Sequence, residues 1–308
     1  MDPAEVSKFS EQSSQWWSSS FSSSKHGAAK RNPLREMNPC RVSYMLSAMK
    51  KEGIIEGSAA SPDGSAEAVD VEPLSRADRR WLEVGPGGGI LVESLLRLGQ
   101  PPGKLVAVEP SLSLCETIRD RLERAKMPQI GTFNGTVEDY RNSSSSSSEN
   151  GNNGGGEKKL NYDVVSMLEV IEHVQPGASR ASLVSALLSL TAPNGLLFIS
   201  TIDRELVTGY LRAIFCAEYL AGVTPVGTHR FDRLLRPWEL GDLIMREAEG
   251  LGYKMSVVNV SKMTVEGGWL GEVSGGVLCG DLPAAARISR SAARICKTRR
   301  GTIGDRQQ

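Results

Sequence analysis

A cluster of glycines at the end of an apolar run does most to limit what this chain can become. Residues 80–84 form a short, largely apolar stretch, and Val84-Gly85-Pro86-Gly87-Gly88-Gly89 follows it directly and leads into helical spacing over 90–98. Glycines at such a point permit a tight turn and let backbone N–H groups approach a ligand at a helix N-terminus. Further apolar runs at 105–109, 162–167 and 196–201 alternate with helical periodicity over 112–125 and 178–190. The alternation predicts an open α/β sheet with helices on both faces, whose ligands bind beyond the carboxyl ends of its strands.

The 308 residues are 40% hydrophobic, enough for one substantial core and one catalytic domain. Two polar stretches stand apart from it. Residues 56–76 read as a low-complexity linker and 142–159 as a disordered insertion lengthening a surface loop. The expected order is therefore an N-terminal helical cap over 1–55, the linker, a domain over 77–280, and a basic tail over 281–308. In that tail Arg290, Arg294, Lys297, Arg299 and Arg300 read either as an inert solvated end or as an attraction to anionic lipid.

Lysine plus arginine equal aspartate plus glutamate at 36 each, so no global field draws the chain to nucleic acid or to an anionic membrane. Cys40, Cys115, Cys216, Cys279 and Cys296 form no Cys-x-x-Cys pair, which argues for reduced thiols over a disulfide framework or a zinc site. No apolar window reaches the roughly 20 residues a spanning helix needs, so a soluble protein with at most peripheral membrane contact is expected. Serines around 18–24 hint at a transit peptide, but Asp2, Glu5 and Glu11 spoil it.

The glycine loop alone does not separate a nicotinamide enzyme from a methyltransferase. The pattern is Glu-x-Gly-x-Gly-x-Gly, however, with Glu83 inside the strand and without the dinucleotide register. An acidic group beside Gly85 and Gly87 would repel a diphosphate and suits the ammonium of S-adenosylmethionine. Glu109, ending the next strand, is placed to accept ribose hydroxyls. Thr136-Val137-Glu138-Asp139, with Val137 as the candidate contact, could flank the adenine.

After the run at 162–167 comes Leu168-Glu169-Val170-Ile171-Glu172-His173-Val174. With Lys8-Phe9, Gln15-Trp16-Trp17, Met37-Asn38-Pro39-Cys40-Arg41, Ser200-Thr201-Ile202-Asp203-Arg204, Ala217-Glu218-Tyr219, Gly227-Thr228-His229 and Arg236-Pro237, it resembles the ubiquinone-biosynthesis O-methyltransferases, bacterial and mitochondrial, from Lys8 to about Ala248. The resemblance implies a Rossmann-like class I fold with a seven-stranded, mostly parallel sheet. It implies S-adenosylmethionine contacts at Arg41, Gly85, Glu109 and Leu168, and a divalent cation, Mg²⁺ or else Zn²⁺, on Glu169, Glu172 and His173. The implied substrate is a polyprenylated catechol or hydroquinone, of the 3,4-dihydroxy-5-polyprenylbenzoate and demethylubiquinol types. A multi-enzyme biosynthetic complex and a peripheral place on the matrix side of the mitochondrial inner membrane come with it, bacterial cytoplasm being the fallback.

The residues themselves leave other readings open. Glu169 and Glu172 could instead cap the following helix, and His173 could be a general base or pack against the substrate. Tyr210, Leu211, Ile214, Phe215 and Tyr219, at helix-like intervals, either cover a prenyl tail or bilayer surface, or cover the protein's own core. His229 either approaches the substrate or stabilises a loop. The sequence departs from the family where Pro86 replaces the usual cysteine and Glu109 the frequent aspartate, and the match fades beyond Tyr253. Two rival functions follow: a nicotinamide oxidoreductase on the same topology, and a catalytically silent subunit that scaffolds a complex.

Overall fold

The computed structural model describes residues 3–11, 33–55, 74, 78–146, 161–206, 210–211, 214–215, 218–219, 226–259 and 285–289. Among the described residues seven strands form one sheet: β1 (Trp81–Val84), β2 (Leu105–Glu109), β3 (Gly131–Asn134), β4 (Tyr162–Leu168), β5 (Thr191–Ser200), β6 (Lys254–Asn259) and β7 (Ala285–Ser289). Their order is β3-β2-β1-β4-β5-β7-β6. The first five pair in parallel, and β7 runs antiparallel to both its neighbours. Strand order reverses between β1 and β4, so the crevice between their carboxyl ends is where this architecture binds ligands.

Strand period decides which helices cover which face. Leu82, Val84, Val165, Met167, Leu197 and Ile199 pack with α6 (Ala178–Leu190) and α7 (Pro237–Gly250). The alternate positions Trp81, Leu105, Ala107, Val164, Leu196 and Phe198 pack with α2 (Pro33–Lys51), α3 (Ile90–Arg97) and α4 (Leu112–Arg124). The expected α/β sheet with helices on both faces is therefore present. Buried Glu93 of α3 ties that face together, its carboxylate held by Arg97 and by Arg121 of α4.

Three local readings need correction. Helix α5 (Val137–Ser146) runs into the segment read as insertion. Thr136 and Asp139 cap it reciprocally: the Asp139 N–H donates to Thr136 Oγ1 at 3.2 Å and the Thr136 N–H to Asp139 Oδ2 at 3.2 Å. A start fixed in this way propagates into serines that would not nucleate a helix alone. β5 begins at Thr191 rather than 196, because the register shift between Tyr162 and Val164 absorbs a Pro193-Asn194 turn within the strand. β7 lies inside the segment read as tail, since five residues without strong alternation give a central strand little sequence signal. Apart from Leu74, which is buried and donates its N–H to Leu98 O at 2.7 Å, the linker lies outside the described residues, as do the basic residues at 290–300.

Among the described cysteines, Cys115 is a buried free thiol, pushed up to about 11 by burial and then by the charge of Glu109. Cys40 is disulfide-bonded, which corrects the reading of every cysteine as reduced. Spacing excludes local pairs but says nothing of cysteines that folding brings together. Among the described residues no helix is long and apolar enough to cross a membrane.

Candidate active site

The loop after β1 folds as the glycines dictate. Gly85, Gly87 and Gly89 all have positive φ, at 68°, 55° and 82°. At Gly85 a Cβ would stand 2.5 Å from Val170 Cγ2, so both the dihedral and the neighbour require glycine. Gly89 is the N-cap of α3 and offers no side-chain cap, so the first N–H groups of the helix are not taken by a capping side chain.

A cavity lies over this loop. Gly85, Pro86 and Gly87 form its floor, Glu83 and Glu109 the strand ends, Leu168, Glu169, Val170 and His173 one wall, and Leu34, Asn38 and Arg41 of α2 another. Its roof is α1 (Pro3–Glu11), through Val6 and Phe9. The predicted contacts Arg41, Glu83, Gly85, Gly87, Glu109 and Leu168 thus converge. Val137 does not line the cavity; its side chain is in the core at the start of α5. A wider depression between α7 and β6, around Asp242, Arg246 and Glu249, shares no residue with this site.

Charge in the cavity is unmatched in two places. Glu83 is 2% exposed, and burial pushes its carboxyl up to about 8 against the opposing pull of Ser166 and Arg41. Trp81 Nε1–H donates to Ser166 Oγ at 2.7 Å, and Ser166 donates in turn to Glu83 Oε2, which fixes that carboxyl. Opposite, Arg41 Nη2 stands 3.1 Å from Glu169 Oε1, yet its buried Nε and Nη2 make no hydrogen bond. A buried guanidinium with orphaned donors is costly unless an anion completes it. Glu109 accepts from the N–H of Gly87 at 3.2 Å and of Ser111 at 3.0 Å, while burial lifts it to about 7.

The turn after β4 carries the second cluster. Glu169 has φ +57°, a left-handed conformation rare outside glycine. This aims its carboxylate at Arg41 and at Ser200 Oγ, 2.7 Å away. Glu172 is 3% exposed; one oxygen accepts from Thr201 at 3.0 Å and the other is unpartnered. Burial, and then the Glu169 charge, push the Glu172 carboxyl well above the usual range. The His173 ring meets Phe9 edge to face at 4.8 Å and lies 5.7 Å from the ring of His229. Among the described residues no three His, Cys, Asp or Glu side chains are grouped to hold a metal ion. The implied cation therefore fits in part: two close carboxylates suit it, whereas His173 does not join them.

The exposed segment before His229 resolves another open reading. Tyr210, Leu211, Phe215 and Tyr219 are exposed, Tyr219 at 61%, so these four do not cover the protein's own core, while Ile214 is half-buried. Among the described residues of this segment, Glu218 is the buried one. It accepts from the N–H of Gly227 and of His229 and lies 2.9 Å from His229 Nδ1. The sequence reading gave Glu218 no role, since its partner is eleven residues on. Pairing of carboxylate and imidazole in one motif set was the only available signal.

An α/β sheet with a glycine loop, an acidic residue next to last in β1 and another ending β2, and no diphosphate register defines a Rossmann-like S-adenosylmethionine-dependent methyltransferase. The chain matches the methyltransferase-domain family model over residues 61–252. It is 32% identical to a ubiquinone biosynthesis O-methyltransferase of Cereibacter sphaeroides, over 80% of this chain and 82% of that one. It is 31% identical to its counterpart in Burkholderia ambifaria, over 82% and 88%. Magnesium protoporphyrin IX methyltransferase of Synechocystis PCC 6803, solved with bound S-adenosylhomocysteine, shares the fold at a TM-score of 0.52 and 13% identity, over 94% of this chain and all of that one. The chain belongs to the ubiquinone biosynthesis O-methyltransferase family, and it is an S-adenosylmethionine-dependent O-methyltransferase.

Proposed function

We propose that the acceptor is a polyprenylated catechol or hydroquinone of the 3,4-dihydroxy-5-polyprenylbenzoate or demethylubiquinol type, methylated on a phenolic oxygen. The observation that carries this reading is the apolar strip of Tyr210, Leu211 and Phe215. Glu218 and the Tyr210–Phe231 ring contact at 6.0 Å anchor the strip to the rim beside His229. An aromatic ring at the rim would send its apolar tail along that strip, and a bilayer surface would receive the same side chains. The names of the bacterial relatives support the same acceptor class.

S-adenosylmethionine, when bound, supplies a methyl group already activated on a sulfonium. The chain's task is placement. Arg41, with its unfilled donors, would take the cofactor's carboxylate, Glu83 its ammonium, and Glu109 the ribose hydroxyls. Leu168 and the glycine loop would hold the nucleoside, and His173 would form the wall against which the acceptor ring lies. Glu169 and Glu172 would hold a divalent cation, which would lower the pKa of a catechol hydroxyl. A position on the matrix side of the mitochondrial inner membrane, within a biosynthetic complex, belongs to the same reading and is tested by fractionation.

The direct test mixes the enzyme with labelled S-adenosylmethionine and a short-chain prenylated catechol, before and after EDTA and with Mg²⁺ or Zn²⁺ restored. Transfer lost to EDTA and regained with metal supports the whole reading. Transfer indifferent to EDTA removes the cation alone. Cofactor binding without transfer would favour a silent scaffold instead.

A further inference from the structure

We infer that Glu218 and His229 form a catalytic dyad in which His229 accepts the phenolic proton and Glu218 orients it. The inference rests on the methyl-transfer reading above and deepens it. The Glu218 side chain is fully buried, and its carboxylate is held by the short segment from Gly227 to His229. Its Oε1 lies 2.9 Å from His229 Nδ1 and 2.7 Å from the His229 backbone nitrogen, and Oε2 lies 2.6 Å from the nitrogen of Gly227. Burial alone would raise that carboxyl, but these hydrogen bonds hold it below its ordinary value. A carboxylate that accepts at Nδ1 requires the proton there, which leaves Nε2 of a neutral ring as the free acceptor.

Position supports the assignment. The His229 side chain is 13% exposed, and its ring stands beside that of His173, which lines the cavity. Lys8 Nζ donates to Gly227 O at 3.0 Å, so the segment carrying His229 is fixed from α1 as well as from Glu218. When the ring takes a second proton, the charge it acquires faces Glu218. His173 instead has the edge of Phe9 against it at 4.8 Å.

In the step itself the acceptor's O–H bond breaks and its proton passes to His229 Nε2. The oxygen's electron pair forms the new O–CH₃ bond as the C–S bond breaks, with that bond's pair going to sulfur. The imidazolium then returns its proton to solvent.

The experiment compares two acceptors, an ordinary catechol and a nitrocatechol already ionised at the assay pH, with the unsubstituted enzyme and with His229→Gln, Glu218→Gln and His173→Gln. Thermal shift with S-adenosylhomocysteine checks that each variant is folded and binds. With the ordinary catechol, His229→Gln should lose roughly a hundredfold or more in kcat, as removal of a general base does. Glu218→Gln, which keeps the side-chain shape, should lose less. With the nitrocatechol both should return close to the unsubstituted rate, since no proton remains to be taken, while His173→Gln should lose the same factor on both acceptors. Equal losses of His229→Gln and Glu218→Gln on the two acceptors would overturn the dyad, as would rescue confined to His173→Gln. If either variant of the pair fails to fold, the other reads the same ratio. Failure of the unsubstituted enzyme to methylate either acceptor would instead remove the acceptor reading on which the dyad rests.

Discussion

The two halves of the site are built by different means. The cofactor half is made of continuous segments at the ends of neighbouring parallel strands: Glu83 with the glycine loop after β1, and Glu109 at the end of β2. The half proposed for the acceptor brings together Phe9, His173, Glu218 and His229, which come from separate stretches of chain. Backbone geometry dominates the first half and side-chain pairing the second. A ligand common to many enzymes can be met by a fixed backbone, whereas the acceptor side is specified by tertiary contacts.

Substitutions should separate the halves. The largest effect is expected at Gly85. Gly85→Ala meets a left-handed dihedral costing about 1–3 kcal/mol and a steric clash with Val170 costing about as much again. Calorimetric titration with S-adenosylhomocysteine should then show no binding; retained affinity would mean the loop moves freely. If Arg41 takes the cofactor's carboxylate as proposed, Arg41→Met should weaken binding by about 2 kcal/mol, or some thirtyfold. An unchanged Kd would return Arg41 to a structural partner of Glu169.

A smaller effect concerns pH. Glu83 and Glu109 are raised to about 8 and 7, above the unfolded range near 4.3. The folded state therefore holds these protons more tightly. The stability they contribute is complete below the unfolded pKa and is lost as pH rises through 7 and 8. The melting temperature of the cofactor-free protein should fall by several degrees between about pH 5 and pH 8.5. S-adenosylhomocysteine, whose ammonium favours ionised Glu83, should reduce that fall; a parallel fall with and without ligand would separate Glu83 from the ammonium. The smallest effect is expected at the roof, where Ser10→Ala removes a 2.7 Å hydrogen bond to Ser111 worth about 1 kcal/mol. Stopped-flow release of S-adenosylhomocysteine should quicken by a few-fold, and an unchanged rate would show that α1 does not hold the ligand.

The same contrast explains how much the sequence made legible. Strands β1, β2 and β4 and helices α3, α4 and α6 follow from apolar runs and periodicity, because sheet strands covered on both faces admit few polar residues. β7 escaped because it gives no such run, and α5 went unread because its serines read as disorder once the Thr136–Asp139 cap is overlooked. On the cofactor side Glu83, Gly85, Gly87 and Glu109 could be read from position relative to strand ends. Arg41 needed the resemblance, since its place opposite Glu83 depends on how α2 packs. Val137 lies in the core rather than at the cavity, because its place in the sequence says nothing of which way its side chain points. The inward turn of Glu218, among exposed aromatic neighbours, is a tertiary fact with no local signature.

Helix α1 touches both halves at once: Ser10 meets Ser111 beside Glu109, Phe9 meets His173, and Lys8 meets Gly227 beside His229. Lifting that one helix breaks contacts to the cofactor wall and to the acceptor rim in a single movement. One short helix thus ties the glycine-loop side of the cavity to the His173–His229 side, so a change in its seating is felt at both.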